Sequence, residues 1–117
     1  ARTLATELGR PITAVPWSDR ESVLEGARLL VNTTSLGMTG KGELNIALDK
    51  LPLEAVVYDI VYTPTKTQLL VAAKARGNAV VDGLGMLLHQ ASPGFQAWFG
   101  TKPEVNIELR NFMSEKL

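Results

Sequence analysis

The stretch AVVYDIVYTPTKTQLLVAAKARGNAVVDG, residues 55–83, decides the fold class of this chain. β-Branched and aromatic residues at 55–58 predict a short buried strand, and the apolar run 79–81 predicts another. Between them, leucines and alanines recur at helical spacing, and Gly77 follows where a left-handed helix end is expected. Two short apolar strands joined by a helix are typical of a parallel β-α-β unit.

Short apolar runs alternate with helical patterns in the rest of the chain as well. We predict further strands at Ile12–Val15 and Leu29–Val31. We also predict helices at Gly85–Phe99 and Val105–Leu117, and the helix at Gly85–Phe99 should be bent or reset at Pro93. Strands that recur at intervals of about 20–25 residues with helices between them favour parallel pairing over hairpins. The sequence therefore predicts an α/β fold.

Two segments carry weaker patterns. Residues 1–9 predict a helix that ends at Gly9, and because no capping residue precedes it, we expect the chain to begin inside that helix as part of a larger domain. Residues 44–53 predict a loop with a single helical turn at 46–48.

The composition limits the functions that are open to the protein. Twelve basic and twelve acidic residues give zero net charge, which disfavours binding to nucleic acid or to anionic lipid. The chain has no cysteine and one histidine, so disulfides and thiolate or His-rich metal sites are excluded, and redox chemistry must come from a cofactor. The apolar runs are far shorter than the roughly 20 residues of a membrane-spanning helix. We therefore expect a soluble, cytoplasmic protein without a metal.

Polar residues follow three of the predicted strands: Asn32, Asp59 and Asp82. Parallel strands joined by right-handed crossovers end at the same edge of the sheet, which is where open α/β folds bind ligands. We therefore expect the three loops that begin with these residues to form one ligand-binding cleft.

The first two loops offer candidate ligand contacts. The Asn-Thr-Thr-Ser run at 32–35 can form several hydrogen bonds, either with a polar ligand or with its own backbone, and Gly37 permits a tight turn after it. If side chains continue to alternate between the two faces beyond Asp59, Ile60 and Tyr62 lie on the same face, where both could line one side of a ligand site. Tyr62 also fits a half-buried aromatic with its hydroxyl in water.

The third loop opens a helix with Gly83-Leu84-Gly85, whose backbone N–H groups can approach a ligand, although the full dinucleotide fingerprint is absent. Met86 and Gln90 share one face of this helix. Met86 also fits a core position, and Gln90 needs a hydrogen-bond partner if it is buried. We interpret His89 as a solvated or capping residue.

Three runs of residues together resemble the consecutive motifs of the shikimate dehydrogenase family. They are NTTSLGM at 32–38, VYDIVY at 57–62 and DGLGML at 82–87, in matching order and spacing. The resemblance extends over nearly the whole chain. It implies NADP-dependent, reversible hydride transfer between 3-dehydroshikimate and shikimate in aromatic amino-acid biosynthesis. A quinate/shikimate dehydrogenase with other preferences and a non-catalytic ligand-binding module stay open as alternatives.

The resemblance also implies roles for single residues. The positions that match cofactor contacts in the family are Asn32, Thr33, Thr34, Ser35, Ile60, Gly83 and Met86. Tyr62 and Gln90 match residues that contact the substrate. The expected partner is thus a small molecule, not a nucleic acid or a membrane, and a homodimer is left open.

The family's catalytic Lys and Asp and its glycine-rich phosphate loop match nothing in these residues, so the resemblance assigns no catalytic residue here. It implies an incomplete Rossmann-like, doubly wound parallel sheet that lacks its first two strands, followed by C-terminal helices. Residues 1–100 would be the C-terminal portion of the NADP-binding domain, and 101–117 a helix that packs back toward the substrate domain. We expect this part alone to be inactive.

Overall fold

A computed structural model describes residues 2–9 and 11–117 of the chain. Its elements, in chain order, are α1 (Arg2–Leu8), a 3₁₀ turn (Trp17–Asp19), β1 (Leu29–Asn32), β2 (Val56–Asp59), α2 (Gln68–Arg76), β3 (Ala79–Val81), α3 (Gly83–Phe99) and α4 (Ile107–Ser114).

The three strands form a parallel sheet in the order β1-β2-β3, which confirms the predicted α/β class. β1 pairs with β2 so that Asn32 lies opposite Asp59. α2 makes the crossover from β2 to β3; Thr67 caps its first turn, and Gly77 ends it with a φ of 101°. The ends of all three strands therefore lie along one side of the sheet, which we call the carboxyl edge.

The predicted strand at Ile12–Val15 is wrong, because residues 11–16 have no regular secondary structure. Pro11 and Pro16 flank the segment and lack the N–H that a sheet ladder needs. A strand also needs a neighbour, and among the described residues none pairs with the outer side of β1. The segment therefore neither joins the sheet nor stands apart from it as a strand, and the sheet has three strands rather than four.

The helix boundaries agree with the sequence in part. Gly9 follows α1 with a φ of 56°, as the predicted helix end requires, while Ala1 lies outside the described residues. α3 begins at Gly83, the first glycine of the predicted Gly-Leu-Gly opening, and continues through Pro93 to Phe99, so the helix is not reset at Pro93. The predicted turn at 46–48 is absent, and this part of the loop is irregular.

One face of the sheet is well covered. On this face, β1, β2 and β3 place Leu30, Val57 and Val80 side by side. Val57 belongs to a buried apolar cluster, and Leu30 and Val80 pack against that cluster. The buried members of this cluster are Leu24, Leu48, Leu51, Ala55, Val57, Leu69, Leu70 and Ala73.

The opposite face is more open, since Leu29 and Val81 are 56% and 48% exposed. The radius of gyration is 16.6 Å, whereas a compact domain of this length has about 13 Å. The chain is thus more extended than a domain with a closed core. None of the described helices has the length and apolar character that crossing a bilayer requires.

Candidate functional site

Asn32 closes β1 and is 4% exposed. Its amide nitrogen donates to the Leu36 carbonyl and to Asp59 Oδ1, both at 3.0 Å. Its amide oxygen accepts from the Thr34 backbone N–H at 3.0 Å and from the Thr34 hydroxyl at 2.8 Å. The Thr34 hydroxyl oxygen also accepts from the Leu36 N–H. Asn32 and Thr34 therefore satisfy the loop's own polar groups, which was one of the two interpretations that the sequence left open.

Asp59 is fully buried at the end of β2. Its Oδ1 accepts from Asn32 and from the Val61 N–H, both at 3.0 Å, and its Oδ2 accepts from the Thr67 hydroxyl at 2.7 Å. Thr67 in turn accepts from the Leu70 N–H and so caps α2. Because hydrogen bonds to an ionised acceptor are strong, this one carboxylate holds together the end of β1, the chain after β2 and the start of α2.

Gly83 lies so close to the segment after β2 that no side chain fits at this position. A Cβ there would overlap the Ile60 carbonyl group and lie 2.7 Å from the Val61 carbonyl oxygen. Glycine therefore lets α3 begin directly beside Ile60. The Ile60 N–H also donates to the Asn32 carbonyl at 3.2 Å, so the three loops are in contact at the carboxyl edge.

Asp82 follows β3 and caps α3, since its Oδ1 accepts from the Leu84 N–H at 3.1 Å. Its Oδ2 forms a 2.5 Å ion pair with Arg110 of α4. The two side chains are only partly exposed, at 25% for Asp82 and 37% for Arg110. This ion pair joins the last helix of the chain to the carboxyl edge.

The other predicted site residues differ in exposure. Thr33 and Ser35 are exposed, whereas Ile60, Tyr62 and Met86 are half-buried. The hydroxyls of Thr33 and Ser35 are thus accessible to a ligand at this edge, unlike that of Thr34, which is used within the loop.

Gln90 is exposed on α3, about 10 Å beyond Gly83 along the helix axis. It lines a groove of about 610 Å³ between α3 and α4, together with aromatic side chains such as Phe95 and Trp98. Because Gln90 is not buried, it needs no partner within the chain. The structure therefore separates Gln90 from the residues that meet at the carboxyl edge.

Sequence reasoning did not identify Thr67 or Arg110 as residues of this edge. Thr67 had a local signal, because a threonine directly before an apolar helical pattern is a typical N-cap. Arg110 had none: it lies 28 residues from Asp82, and an arginine in a short amphipathic helix is ordinarily a solvated residue.

The acidic side chains of the carboxyl edge are both engaged within the chain. Both of its carboxylates, Asp59 and Asp82, already accept hydrogen bonds from the chain. His89 is exposed on α3, in agreement with its interpretation as a solvated residue. Across residues 2–9 and 11–117, no cluster of His, Asp and Glu is arranged to hold a metal ion.

No protein-family model matches the sequence. The chain is 59% identical over 113 residues to the shikimate dehydrogenase (NADP+) of Paramagnetospirillum magneticum, and the match covers 97% of this chain and 41% of that enzyme. The chain therefore spans well under half the length of the curated relatives it matches.

Solved structures agree with this relationship. The quinate dehydrogenase from Corynebacterium glutamicum in complex with NAD superposes with a TM-score of 0.80 at 33% identity, over 97% of this chain and 41% of that one. The shikimate 5-dehydrogenase from Thermus thermophilus in complex with NADP(H) and shikimate gives 0.71 at 35% identity, over 98% and 40%. The Rossmann-like fold class is thereby confirmed.

The resemblance that the three motifs carry is therefore confirmed along nearly the entire chain, which is a homologue of one part of the shikimate dehydrogenases.

Proposed function

We propose that this chain is the part of an NADP-dependent shikimate dehydrogenase that binds the nicotinamide half of the cofactor and one side of the substrate. The observation that carries the proposal is the 59% identity to such an enzyme over 97% of the chain. The complete enzyme would interconvert shikimate and 3-dehydroshikimate in aromatic amino-acid biosynthesis. In the oxidation, a hydride passes from the hydroxyl-bearing carbon to NADP+, and the hydroxyl proton is released.

The carboxyl edge supplies groups that fit the nicotinamide end of a dinucleotide. Thr33 and Ser35 offer accessible hydroxyls for the polar groups of the carboxamide and ribose, and Ile60 and Met86 offer half-buried apolar surface for the flat ring. Gly83 leaves the backbone at the start of α3 free of a side chain. The cofactor supplies the hydride acceptor when it is bound; this chain binds and orients it.

In the loop at 32–35, two residues stabilise the loop and the other two contact the cofactor. Asn32 and Thr34 hold the loop in shape through their mutual hydrogen bonds. Thr33 and Ser35, which are exposed, then make the contacts with the cofactor.

Tyr62 and Gln90 are assigned to the substrate in this proposal. A phenol and a carboxamide can both hydrogen-bond the hydroxyls of shikimate. Tyr62 is half-buried beyond β2 and Gln90 is exposed on α3, so they would approach the substrate from two elements. The catalytic Lys and Asp would come from the rest of the enzyme.

We assign residues 1–100 to the cofactor-binding domain and residues 101–117 to a closing segment that packs toward the substrate domain. The apolar groove between α3 and α4 supports this division, because Trp98 and Phe99 in it are 81% and 66% exposed. Such surface is typical of a contact between domains. The proposed enzyme is cytoplasmic.

The test measures NADP+-linked oxidation of shikimate by the complete enzyme that carries these residues. A second measurement uses a hybrid in which this chain replaces the segment it matches in the Paramagnetospirillum magneticum enzyme. We expect turnover in both, with kcat/KM higher for NADP+ than for NAD+. A hybrid that melts cooperatively like its parent but neither binds NADPH nor turns over would overturn the proposal.

Quinate oxidation is a second candidate activity, and the TM-score of 0.80 with a quinate dehydrogenase favours it. The two activities are distinguished by kcat/KM for quinate and for shikimate, measured on the complete enzyme with each cofactor. A higher value for quinate with NAD+ would replace the first proposal with this one. The hybrid is not informative for this choice, since the rest of its substrate site comes from a shikimate dehydrogenase.

A further inference from the structure

Arg110 stands at the junction between α4 and the first turn of α3. Its guanidinium pairs with Asp82 Oδ2 at 2.5 Å, and its Nη1 would lie 3.7 Å from a Cβ built at Gly85. Arg110 therefore reaches the same turn of α3 that begins with Gly83, although α4 itself starts 24 residues later in the chain, at Ile107.

The Asp82 carboxylate is divided between two donors. Oδ1 accepts from the Leu84 N–H and so caps α3, and Oδ2 accepts from Arg110. The ion pair thus fixes the carboxylate in the orientation that caps the helix. It also balances a negative charge located one residue before Gly83.

That charge matters for NADPH, whose charges are all on its phosphates and are all negative. The turn is assigned to the nicotinamide half, so an unbalanced carboxylate there would lower the affinity for NADPH through the electrostatic field over the site rather than by contact with a phosphate. The position of the turn matters as well, because Gly83 lies so close to the Ile60 carbonyl that a Cβ would not fit between them. Through Asp82, Arg110 affects both the charge beside the turn and the position of the turn. It does so without needing to touch the ligand.

We propose that Arg110 is a positioning residue for the cofactor: it holds Asp82 as the cap of α3 and balances its charge beside the turn that begins at Gly83. The inference rests on the proposed function, which assigns this turn to NADP(H). It makes α4, outside the sheet, a determinant of cofactor affinity.

The test measures the Kd of NADPH by fluorescence, and the KM of shikimate, for the complete enzyme and three variants. We expect Arg110→Ala to raise the Kd about three- to fivefold, as for loss of a partly exposed ion pair, with the KM of shikimate within about twofold. Arg110→Lys keeps the charge and should retain most of the affinity. The double variant Asp82→Asn/Arg110→Ala should recover affinity, because no unbalanced charge remains and the asparagine oxygen still caps α3.

The matched control is Arg28→Ala, which removes the same charge from an exposed arginine next to β1, at the end of the sheet opposite the carboxyl edge. It should leave the Kd of NADPH unchanged. A purely structural role for Arg110 would lower the urea midpoint without recovery of affinity in the double variant, and that result would overturn the inference. So would an unchanged Kd in Arg110→Ala. If the unsubstituted enzyme does not bind NADPH, the proposed function itself fails, which is a different outcome.

Discussion

Asp59 is the residue on which the carboxyl edge depends most directly. Its carboxylate accepts from the Asn32 amide, the Val61 N–H and the Thr67 hydroxyl, and it is fully buried. Removing a buried acceptor leaves its donors without partners, and each costs about 1–3 kcal/mol. The same three bonds position both Val61, next to Tyr62, and the start of α2.

We therefore expect Asp59→Ala to lower the free energy of unfolding by about 3 kcal/mol or more. The measurement is a urea titration of the complete enzyme, with Glu54→Ala as the control. Glu54 is also acidic but exposed, and such a substitution changes stability by less than about 0.5 kcal/mol. Equal urea midpoints for the two variants would contradict the structural role given to Asp59.

Tyr62 and Gln90 provide a residue-level test of the substrate assignment. If each donates or accepts one neutral hydrogen bond to shikimate, Tyr62→Phe and Gln90→Ala should each cost about 0.5–1.5 kcal/mol, or roughly two- to tenfold in the KM of shikimate. The KM of NADP+ should change less. His89→Ala serves as control, because His89 is adjacent to Gln90 and exposed. A rise confined to the KM of NADP+ would show that the two residues belong to the cofactor site.

At the scale of elements, the start of α3 is set by its contact with the chain after β2. A Cβ at Gly83 would overlap the backbone of Ile60 and Val61, and backbone atoms cannot rotate away as a side chain can. α3 would have to withdraw from β2, and overpacking of this kind typically costs about 1–3 kcal/mol. The carboxyl edge would open as a result.

Gly83→Ala is therefore expected to lower the urea midpoint of the complete enzyme and to weaken NADPH binding. Gly94→Ala is the matched control, since Gly94 lies in the same helix and a Cβ there would meet nothing within 4 Å. That substitution should be neutral or stabilising by up to about 1 kcal/mol, because alanine is the better helix former. Equal urea midpoints and equal NADPH affinities for the two variants would show that the tight contact at Gly83 contributes nothing to stability or to binding.

Elements whose signal is local were predictable from the sequence. The strands that became β1, β2 and β3 consist of contiguous apolar runs, and Gly77 marks the end of α2 by its conformation alone. Ile12–Val15 carries the same kind of run but remains irregular, because a strand is completed only by hydrogen bonds to a neighbour. The residues of this segment do not determine whether a neighbouring strand is present.

The candidate site was predictable to a similar extent. Parallel topology alone places Asn32, Asp59 and Asp82 at one edge, and the structure confirms their placement. Which hydroxyls of the 32–35 loop are internally bonded was not predictable, since it depends on how Thr34 is oriented toward Asn32. The pairing of Asp82 with Arg110 depends on where α4 packs, and no local pattern encodes it.

At the scale of the whole molecule, the chain is incompletely packed. Leu29 and Val81 on the open face of the sheet are about half exposed, as are Phe95 in the groove between α3 and α4 and Phe112 of α4. The net charge is zero, so little electrostatic repulsion opposes association through these apolar surfaces. Exposed apolar surface of this kind is typical of a contact with another domain or another chain.

The isolated 117-residue chain should therefore be catalytically silent and more extended than a closed domain. Oxidation of an alcohol requires a positioned group to take the hydroxyl proton, and both carboxylates of the carboxyl edge are already hydrogen-bonded within the chain. We expect no NADP+-linked shikimate oxidation above background, and a radius of gyration in small-angle scattering near 16.6 Å for the monomer. The control is the hybrid enzyme assayed under the same conditions. Measurable turnover by the isolated chain would mean that a proton acceptor lies within these residues, and a radius near the compact value of about 13 Å would mean that the open face closes on itself.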